Sequence, residues 1–120
     1  DKENPNVRKY IAQRADLLGA IRLPNDTFKA AAGTEVTSDI IFLQKRDRLV
    51  DIEPDWVHLA TDANGIRMNA YFVDNPEMVL GDMQMVSGPH GMEAACIAYE
   101  NAELGDLLRD AIQNIHAEIT

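Results

Sequence analysis

The side chains that could do chemistry stand apart from one another along this sequence. The histidines His58, His90 and His116 are isolated, so each is expected to be an ordinary surface or partly buried residue. Cys96 lies in an apolar segment, which favours a buried small hydrophobe over a nucleophile. The sequence has no glycine-rich phosphate loop, no cluster with metal-ligand spacing and no evident pair of nucleophile and base. The residues by themselves predict neither a catalytic site nor a metal site.

Composition narrows the class of protein. The 120 residues carry a formal net charge of -9, which argues against strong nucleic-acid binding by this chain alone, because phosphate contacts need clustered Lys and Arg. A hydrophobic content of 46% is enough for the core of one domain over residues 1–120. No signal peptide and no apolar run near the ~18 residues of a membrane span are visible. We therefore expect a cytoplasmic protein without membrane contact.

The first third of the chain predicts a helix followed by two strands. Asn4-Pro5 is typical of a helix start, and the helix should run to about Ala15. The nearly all-apolar run from Leu17 to Leu23 predicts a buried strand, of the kind found in parallel sheets covered on both faces. Val36 to Gln44 predicts a second strand. By helical spacing, one face of this helix is expected to comprise Val7, Tyr10, Ile11 and Arg14.

The rest of the chain predicts short elements and one long helix. A helical turn is expected at residues 54–56, a tight turn at 62–65, and two helical pieces over 67–81 that are separated at Asn75-Pro76. Met83 to Val86 and Glu93 to Tyr99 should pair as a hairpin. Four methionines are expected to fill the core: Met78, Met83, Met85 and Met92.

Glu103 to Ile119 gives the clearest helical pattern in the chain. Its apolar residues recur at helical spacing and form one stripe, which predicts a C-terminal amphipathic helix. Asn101 is a candidate cap for this helix. The stripe consists of Leu104, Leu107, Leu108, Ala111, Ile112, Ile115 and Ile119.

Four stretches together resemble the later half of the catalytic domain of adenine-specific DNA methyltransferases, which methylate the exocyclic amino group of adenine. Leu17 to Pro24, Leu-Leu-Gly-Ala-Ile-Arg-Leu-Pro, resembles the strand after the catalytic loop. Asn25 to Thr37 resembles the loop that faces the extruded base, and Thr37 to Lys45 resembles the next strand. Asn69-Ala-Tyr-Phe followed by Asn75-Pro-Glu-Met-Val-Leu-Gly resembles an element of methylases fused to helicases or found in restriction systems.

This resemblance implies a fold and a cofactor. The fold would be α/β, a partial doubly wound sheet made of the later strands of a methyltransferase-like domain, with a small hairpin and the C-terminal helix. The parent enzyme would use S-adenosylmethionine, bound at the carboxyl ends of the first strands. The Asn/Asp-Pro-Pro-aromatic catalytic loop and the cofactor turn are both missing, and Asn75-Pro76-Glu77 lacks the second proline and the aromatic. The chain should therefore be inactive alone and bind no cofactor.

The resemblance also implies which residues face the substrate. Phe28 corresponds to the aromatic residue that stacks on a flipped adenine, because a base must leave the duplex to be methylated. The alternative is that Phe28 packs under its own loop. Lys29 either approaches a phosphate or is simply solvated, and Gly33 and Thr34 are expected to shape the loop. The partners would be DNA, through the parent enzyme, and the remainder of the methyltransferase domain.

Two charged residues interrupt the predicted strands. Arg22 either anchors the loop or faces DNA, and anchoring is the preferred interpretation. Asp39 lies in an apolar strand, so its carboxylate needs a partner. We expect that partner to be a backbone amide.

A second hypothesis is a non-enzymatic module for protein interaction. The acidic charge and the amphipathic final helix would then serve binding to a protein partner. Unpaired strand edges would favour a homodimer formed by strand pairing.

Overall fold

The computed structural model describes residues 4–25, 37–88 and 91–119, and it shows a mixed α/β chain. The helices and strands in chain order are α1 (Asn6–Arg14), β1 (Ala15–Leu23), β2 (Ser38–Lys45), β3 (Leu59–Thr61), β4 (Arg67–Asn69), α2 (Ala70–Asp74), β5 (Asp82–Gly88), β6 (Gly91–Ile97) and α3 (Leu104–Ile119). Two short 3₁₀ turns, Asp55–Val57 and Pro76–Met78, precede β3 and β5. No helix of the described part is long and apolar enough to cross a membrane.

The strands form three separate antiparallel pairs, β1 with β2, β3 with β4, and β5 with β6. In the first pair Ala15 lies opposite Lys45 and Leu23 opposite Ser38, with a bulge near Gly19. The predicted doubly wound sheet is therefore wrong for the described residues. An apolar run indicates that both faces of a strand are covered, but it does not indicate whether the neighbouring strand is parallel or antiparallel.

The β3–β4 pair is closed by the tight turn that the sequence predicts. The Asp62 Oδ1 atom accepts hydrogen bonds from the backbone N–H groups of Asn64 (2.9 Å) and Ile66 (2.8 Å). Gly65 adopts a positive φ of 81°, which glycine tolerates without a Cβ clash. The two flanking strands were not predicted, because three residues each are too few to show an alternating pattern.

The core combines residues of β1, β4, α2, β5, β6 and α3. Ile21 and Leu23 of β1 are buried, and Ile115 of α3 packs onto the same strand. A Cβ atom at Gly19 would lie 2.6 Å from Ile115 Cγ1, so the close approach of the helix to the strand requires glycine at this position. The predicted amphipathic helix is confirmed, since Ala111 and Ile115 are buried, but Ile112, which the predicted stripe includes, is 46% exposed.

The β5–β6 hairpin is also confirmed, as are helical pieces on either side of Asn75-Pro76. Residues 67–69, which were predicted within the first helical piece, instead form strand β4. Met83 is buried at the root of the hairpin, but Met85 and Met92 are exposed. The prediction that all four methionines fill the core is wrong for these two, because the far end of the hairpin extends past the core.

The grouping of four residues on one face of helix α1 does not mark its buried side. Val7 is 72% exposed and Tyr10 is also exposed, whereas Ala12 is buried. Arg8 is half-buried and donates from Nε to the Val57 carbonyl oxygen at 2.5 Å. A pattern based on apolar residues alone could not place an arginine against the protein.

Candidate functional site

The predicted substrate-facing residues Phe28, Lys29, Gly33 and Thr34 all lie in the segment 26–36, outside the described residues. Their roles stay predictions. The structure does describe the residues on either side of this segment, where β1 ends and β2 begins. The geometry of these flanking residues is what the structure contributes to the candidate site.

A buried ion pair joins β1 to β2 close to these flanking residues. The Arg22 guanidinium binds Asp39 in a bidentate way, with Nε to Oδ1 at 2.9 Å and Nη2 to Oδ2 at 3.0 Å. The Arg22 side chain is 5% exposed and that of Asp39 is 26% exposed. The partner of Asp39 is thus a guanidinium and not the backbone amide that we expected. Arg22 holds β1 to β2, and the predicted anchoring of the loop concerns residues 26–36, outside the described residues.

Helix α2 contacts this ion pair through an aromatic ring. The Phe72 ring lies under the Arg22 guanidinium, with 4.6 Å between Cζ and the ring centroid, a distance at which cation–π attraction operates. The position of the ring depends on Asn69, whose Oδ1 accepts from the Tyr71 backbone N–H at 2.9 Å and caps the helix. The short Asn-Ala-Tyr-Phe stretch therefore places an aromatic face against a buried cation.

Asn25 fixes the point where the segment 26–36 begins. Its backbone N–H donates to the Cys96 carbonyl oxygen at 2.7 Å, and its Oδ1 accepts from the Cys96 N–H at 3.1 Å. The same Oδ1 accepts from the Thr37 hydroxyl at 2.6 Å. Both ends of the segment are therefore held together and tied to β6. Sequence reasoning missed Asn25, since its main partner lies 71 residues away.

Cys96 lies next to the residues that flank the segment 26–36, and its role there is packing. The side chain is fully buried, and burial raises the pKa of the thiol to about 11. The group is therefore protonated at neutral pH and lacks the thiolate that a nucleophile needs. The prediction of a buried small hydrophobe is confirmed.

A polar cavity of about 260 Å³ opens beside the ion pair. Two arginines and one aspartate are among the residues that line it. The lining residues are Arg22, Thr37, Asp39, Arg67, Met83 and Ala94. Within residues 4–25, 37–88 and 91–119, no group of three His, Cys, Asp or Glu side chains could hold a metal ion.

His58 lies away from the residues that flank the segment 26–36, in a cluster with other ionisable groups. His58 Nε2 lies 2.9 Å from Glu53 Oε2, and Lys9 Nζ lies 3.2 Å from Glu53 Oε1. The hydrogen bond from His58, with a further one from Lys9, lowers the pKa of the Glu53 carboxyl. This exposed cluster reads as surface structure, in agreement with the expectation for His58.

The described residues do not form a site that fits S-adenosylmethionine. In open α/β sheets such a cofactor binds outside the carboxyl ends of parallel strands. The three described sheets are antiparallel pairs, and they offer no crevice of that kind. Any cofactor of a parent enzyme would have to be held by other residues.

Comparisons of the chain with protein-family models, with curated proteins and with solved structures found no match. A functional assignment therefore depends on the sequence motifs and on the contacts described above.

Proposed function

We propose that this chain is the C-terminal portion of the catalytic domain of a cytoplasmic, S-adenosylmethionine-dependent adenine DNA methyltransferase. The parent would be of the restriction-system or helicase-fused type. The chain contributes strands and the base-facing loop, and it is inactive alone. The observation that carries the proposal is that three of the stretches with the resemblance, two of which form the paired strands β1 and β2, meet at one residue, Arg22.

Each stretch makes its own contact with Arg22. The residue itself belongs to the first stretch, and its guanidinium is paired with Asp39 of the second. Its side chain stacks on Phe72 of the third stretch, and its carbonyl oxygen accepts from the Leu80 N–H at 2.8 Å. Chance sequence resemblances in unrelated segments would not be expected to contact the same residue.

The function of such a cluster would be to hold the base-facing loop in place. Stacking on an extruded adenine needs an aromatic residue at a reproducible position, and that precision comes from rigid supporting contacts. Asn25 and Thr37 supply these contacts at the two ends of the segment that includes Phe28. The described residues thus provide the support, and Phe28 would provide the stacking face.

The first experiment is to sequence the gene upstream of the codon for Asp1. We expect an Asn/Asp-Pro-Pro-aromatic motif in the same reading frame, preceded by a glycine-containing cofactor turn. A stop codon in frame directly upstream, with no such motifs, would overturn the proposal.

The second experiment measures methyl transfer to duplex DNA by the full-length enzyme. We expect Phe28→Ala to lower kcat/KM by roughly 5- to 150-fold, because stacking on one base contributes about 1–3 kcal/mol. Phe28→Trp should retain most of the activity, and a mismatch at the target adenine should reduce the defect, since extrusion then costs less. Equal activity of Phe28→Ala and the unchanged enzyme would contradict the role of Phe28.

A second candidate function is a non-enzymatic interaction or self-association module. The observation that favours it is the exposed apolar surface of the β5–β6 hairpin, where Met85 is 47% and Met92 63% exposed. Sedimentation of the purified chain separates the two hypotheses when Met92→Lys is compared with the unchanged chain. A homodimer that Met92→Lys dissociates would favour the module, provided that the upstream sequence lacks the methyltransferase motifs.

A further inference from the structure

Strand β2 has one edge that no other strand covers. Strand β1 occupies its first edge, and within residues 4–25, 37–88 and 91–119 no strand pairs with the second. The far side of β1 is different, because Arg22 there forms a bridge with Val79 and accepts a hydrogen bond from the Leu80 N–H. An uncovered edge presents a row of backbone N–H and C=O groups that can pair with another strand. This sheet can therefore be extended on the β2 side.

The sequence of β2 lacks the devices that usually protect an exposed edge. Natural edge strands are blunted by proline, by bulges or by charged side chains along the edge. The four central residues of β2, Ile40 to Leu43, are all apolar, and the bulge of this pair lies in β1. Ile41 is 59% exposed and Leu43 is 43% exposed. An exposed apolar row on an uncovered edge indicates a contact with a further strand.

Two charged residues, Asp39 and Lys45, lie toward the ends of β2 on the same face as Ile41 and Leu43, because side chains alternate along a strand. Lys45 makes no ion pair within the part of the chain that the structure describes. Asp39 binds Arg22, but its side chain is 26% exposed and a carboxylate has lone pairs for further donors. Along this face the order is acid, apolar, apolar, base.

This order is self-complementary when two copies of β2 pair antiparallel about Phe42. Asp39 of each copy then lies opposite Lys45 of the other, and Ile41 lies opposite Leu43. An axis at Ile41 would instead place Asp39 opposite Leu43, and an axis at Leu43 would place Ile41 opposite Lys45. Registers shifted by one residue would join the outer face of one copy to the core-facing side of the other. Of these registers, the one centred on Phe42 pairs opposite charges and also pairs apolar residues with each other, which are the favourable cross-strand pairs.

We propose that two copies of this chain pair antiparallel through the free edges of β2, centred on Phe42, and form a four-stranded sheet in the order β1–β2–β2–β1. Ile41 and Leu43 of both copies form an apolar cluster at the middle of the contact, with an Asp39–Lys45 ion pair on either side. The same surface of both copies takes part, so the assembly closes at two. The pairing concerns β2 and does not depend on the proposed function.

Sedimentation of the purified 120-residue chain over a series of concentrations tests the pairing. We expect a monomer–dimer equilibrium. Ile41→Asp should weaken dimerisation about 100-fold or more, because a charge enters the apolar cluster twice in each dimer. Met92→Asp is the matched control, since Met92 is 63% exposed but lies on β6, and it should dimerise like the unchanged chain.

Lys45→Glu tests the charged pairs. It places like charges opposite each other at two positions in the dimer, so dimerisation should weaken about tenfold, whereas Lys45→Arg should retain it. Arg109→Glu changes the net charge equally at an exposed position of α3 and should have no such effect. Urea midpoints measured at low concentration establish that each variant is folded. If Ile41→Asp is unfolded, Ile41→Thr replaces it, since threonine keeps the β-branched shape and adds only a hydroxyl group.

Disulfide cross-linking tests the register. Directly opposite Cα atoms in an antiparallel pair lie about 4.5–5.5 Å apart, within the range that a disulfide spans. A mixture of Ile41→Cys and Leu43→Cys chains should therefore give a cross-linked heterodimer on oxidation. Either variant alone should cross-link poorly, because its two cysteines would be diagonal neighbours about 7–8 Å apart. The native Cys96 is fully buried and should not take part.

Four results would overturn the proposal. The first is a chain that stays monomeric at every concentration up to its solubility limit, and the second is assembly into species larger than a dimer. The third is a dimer that Met92→Asp dissociates and Ile41→Asp leaves intact, because the interface would then be the β5–β6 hairpin. The fourth is cross-linking of Ile41→Cys alone as fast as in the mixture, which would refute the register centred on Phe42.

Discussion

Removal of the Asp39 carboxylate is the sharpest test of the cluster around Arg22. In Asp39→Ala the guanidinium loses both of its bonds to the carboxylate while its side chain remains 5% exposed. Breaking a buried pair by removing one partner costs about 3–5 kcal/mol, because the remaining buried charge loses its closest counter-charge. Asp39 itself is about one quarter exposed and Phe72 still stacks on the guanidinium, so we expect the lower end, about 3 kcal/mol.

Urea unfolding followed by circular dichroism measures this loss. With a slope of about 1.5 kcal/mol per molar urea, typical of small proteins, the midpoint should fall by about 2 M. The double variant Arg22→Met/Asp39→Leu removes both charges and fills the space with apolar atoms. Its stability should lie within about 1.5 kcal/mol of the unchanged chain, because an apolar replacement of a buried pair is often neutral or better.

Asp16→Ala provides the control within the same hairpin. Asp16 pairs with Arg46, but its side chain is 56% exposed, so the loss should stay below about 1 kcal/mol. The reasoning is refuted if Asp39→Ala lowers the free energy of unfolding by less than about 1 kcal/mol at an unchanged slope. It is also refuted if the two aspartate variants lose the same amount.

Three further predictions concern other parts of the chain. Gly19→Ala should lower the free energy of unfolding by about 1–3 kcal/mol, because its Cβ would lie 2.6 Å from Ile115 Cγ1; thermal unfolding measures the loss, which Ile115→Ala in the same chain should partly relieve. The Cys96 thiol should react with an aromatic disulfide at pH 8 only as fast as the chain opens, since burial raises its pKa to about 11; immediate labelling of the folded chain would contradict this. The pKa of the Glu53 carboxyl is lowered, so its contribution to stability is present above the ordinary pKa of 4.5 and is lost as pH falls through the lower pKa of the folded chain. Titration of this carboxyl by NMR should give a midpoint below 4.5, and His58→Ala should raise that midpoint.

The sequence predicted elements well where the signal is local. The β5–β6 hairpin and the separation at Asn75-Pro76 followed from turn residues and from the constraint that proline imposes on its predecessor. The long amphipathic helix followed from its apolar stripe. Each of these depends on residues within a few positions of one another.

Features that depend on distant partners were not predictable in the same way. The direction of β1 relative to β2 is set by how the chain returns, and an apolar run carries no record of it. The pairing of Asp39 with Arg22 and of Asn25 with Cys96 requires knowledge of which strands are neighbours. The inward position of Arg8 likewise opposes the usual preference of charged residues for the surface.

The bond between Asn25 and Cys96 sets an order of assembly during folding. The two residues are separated by 71 positions, so the β1–β2 pair can form early while its connection to β6 must wait for most of the chain. Contacts of such long sequence separation are slow to form, because the entropy of closing the loop is lost before the contact contributes. On the ribosome, the Asn25 end of this strand pair would therefore stay unsecured until Cys96 has emerged. A premature stop before that residue would leave Asn25 without its connection to β6.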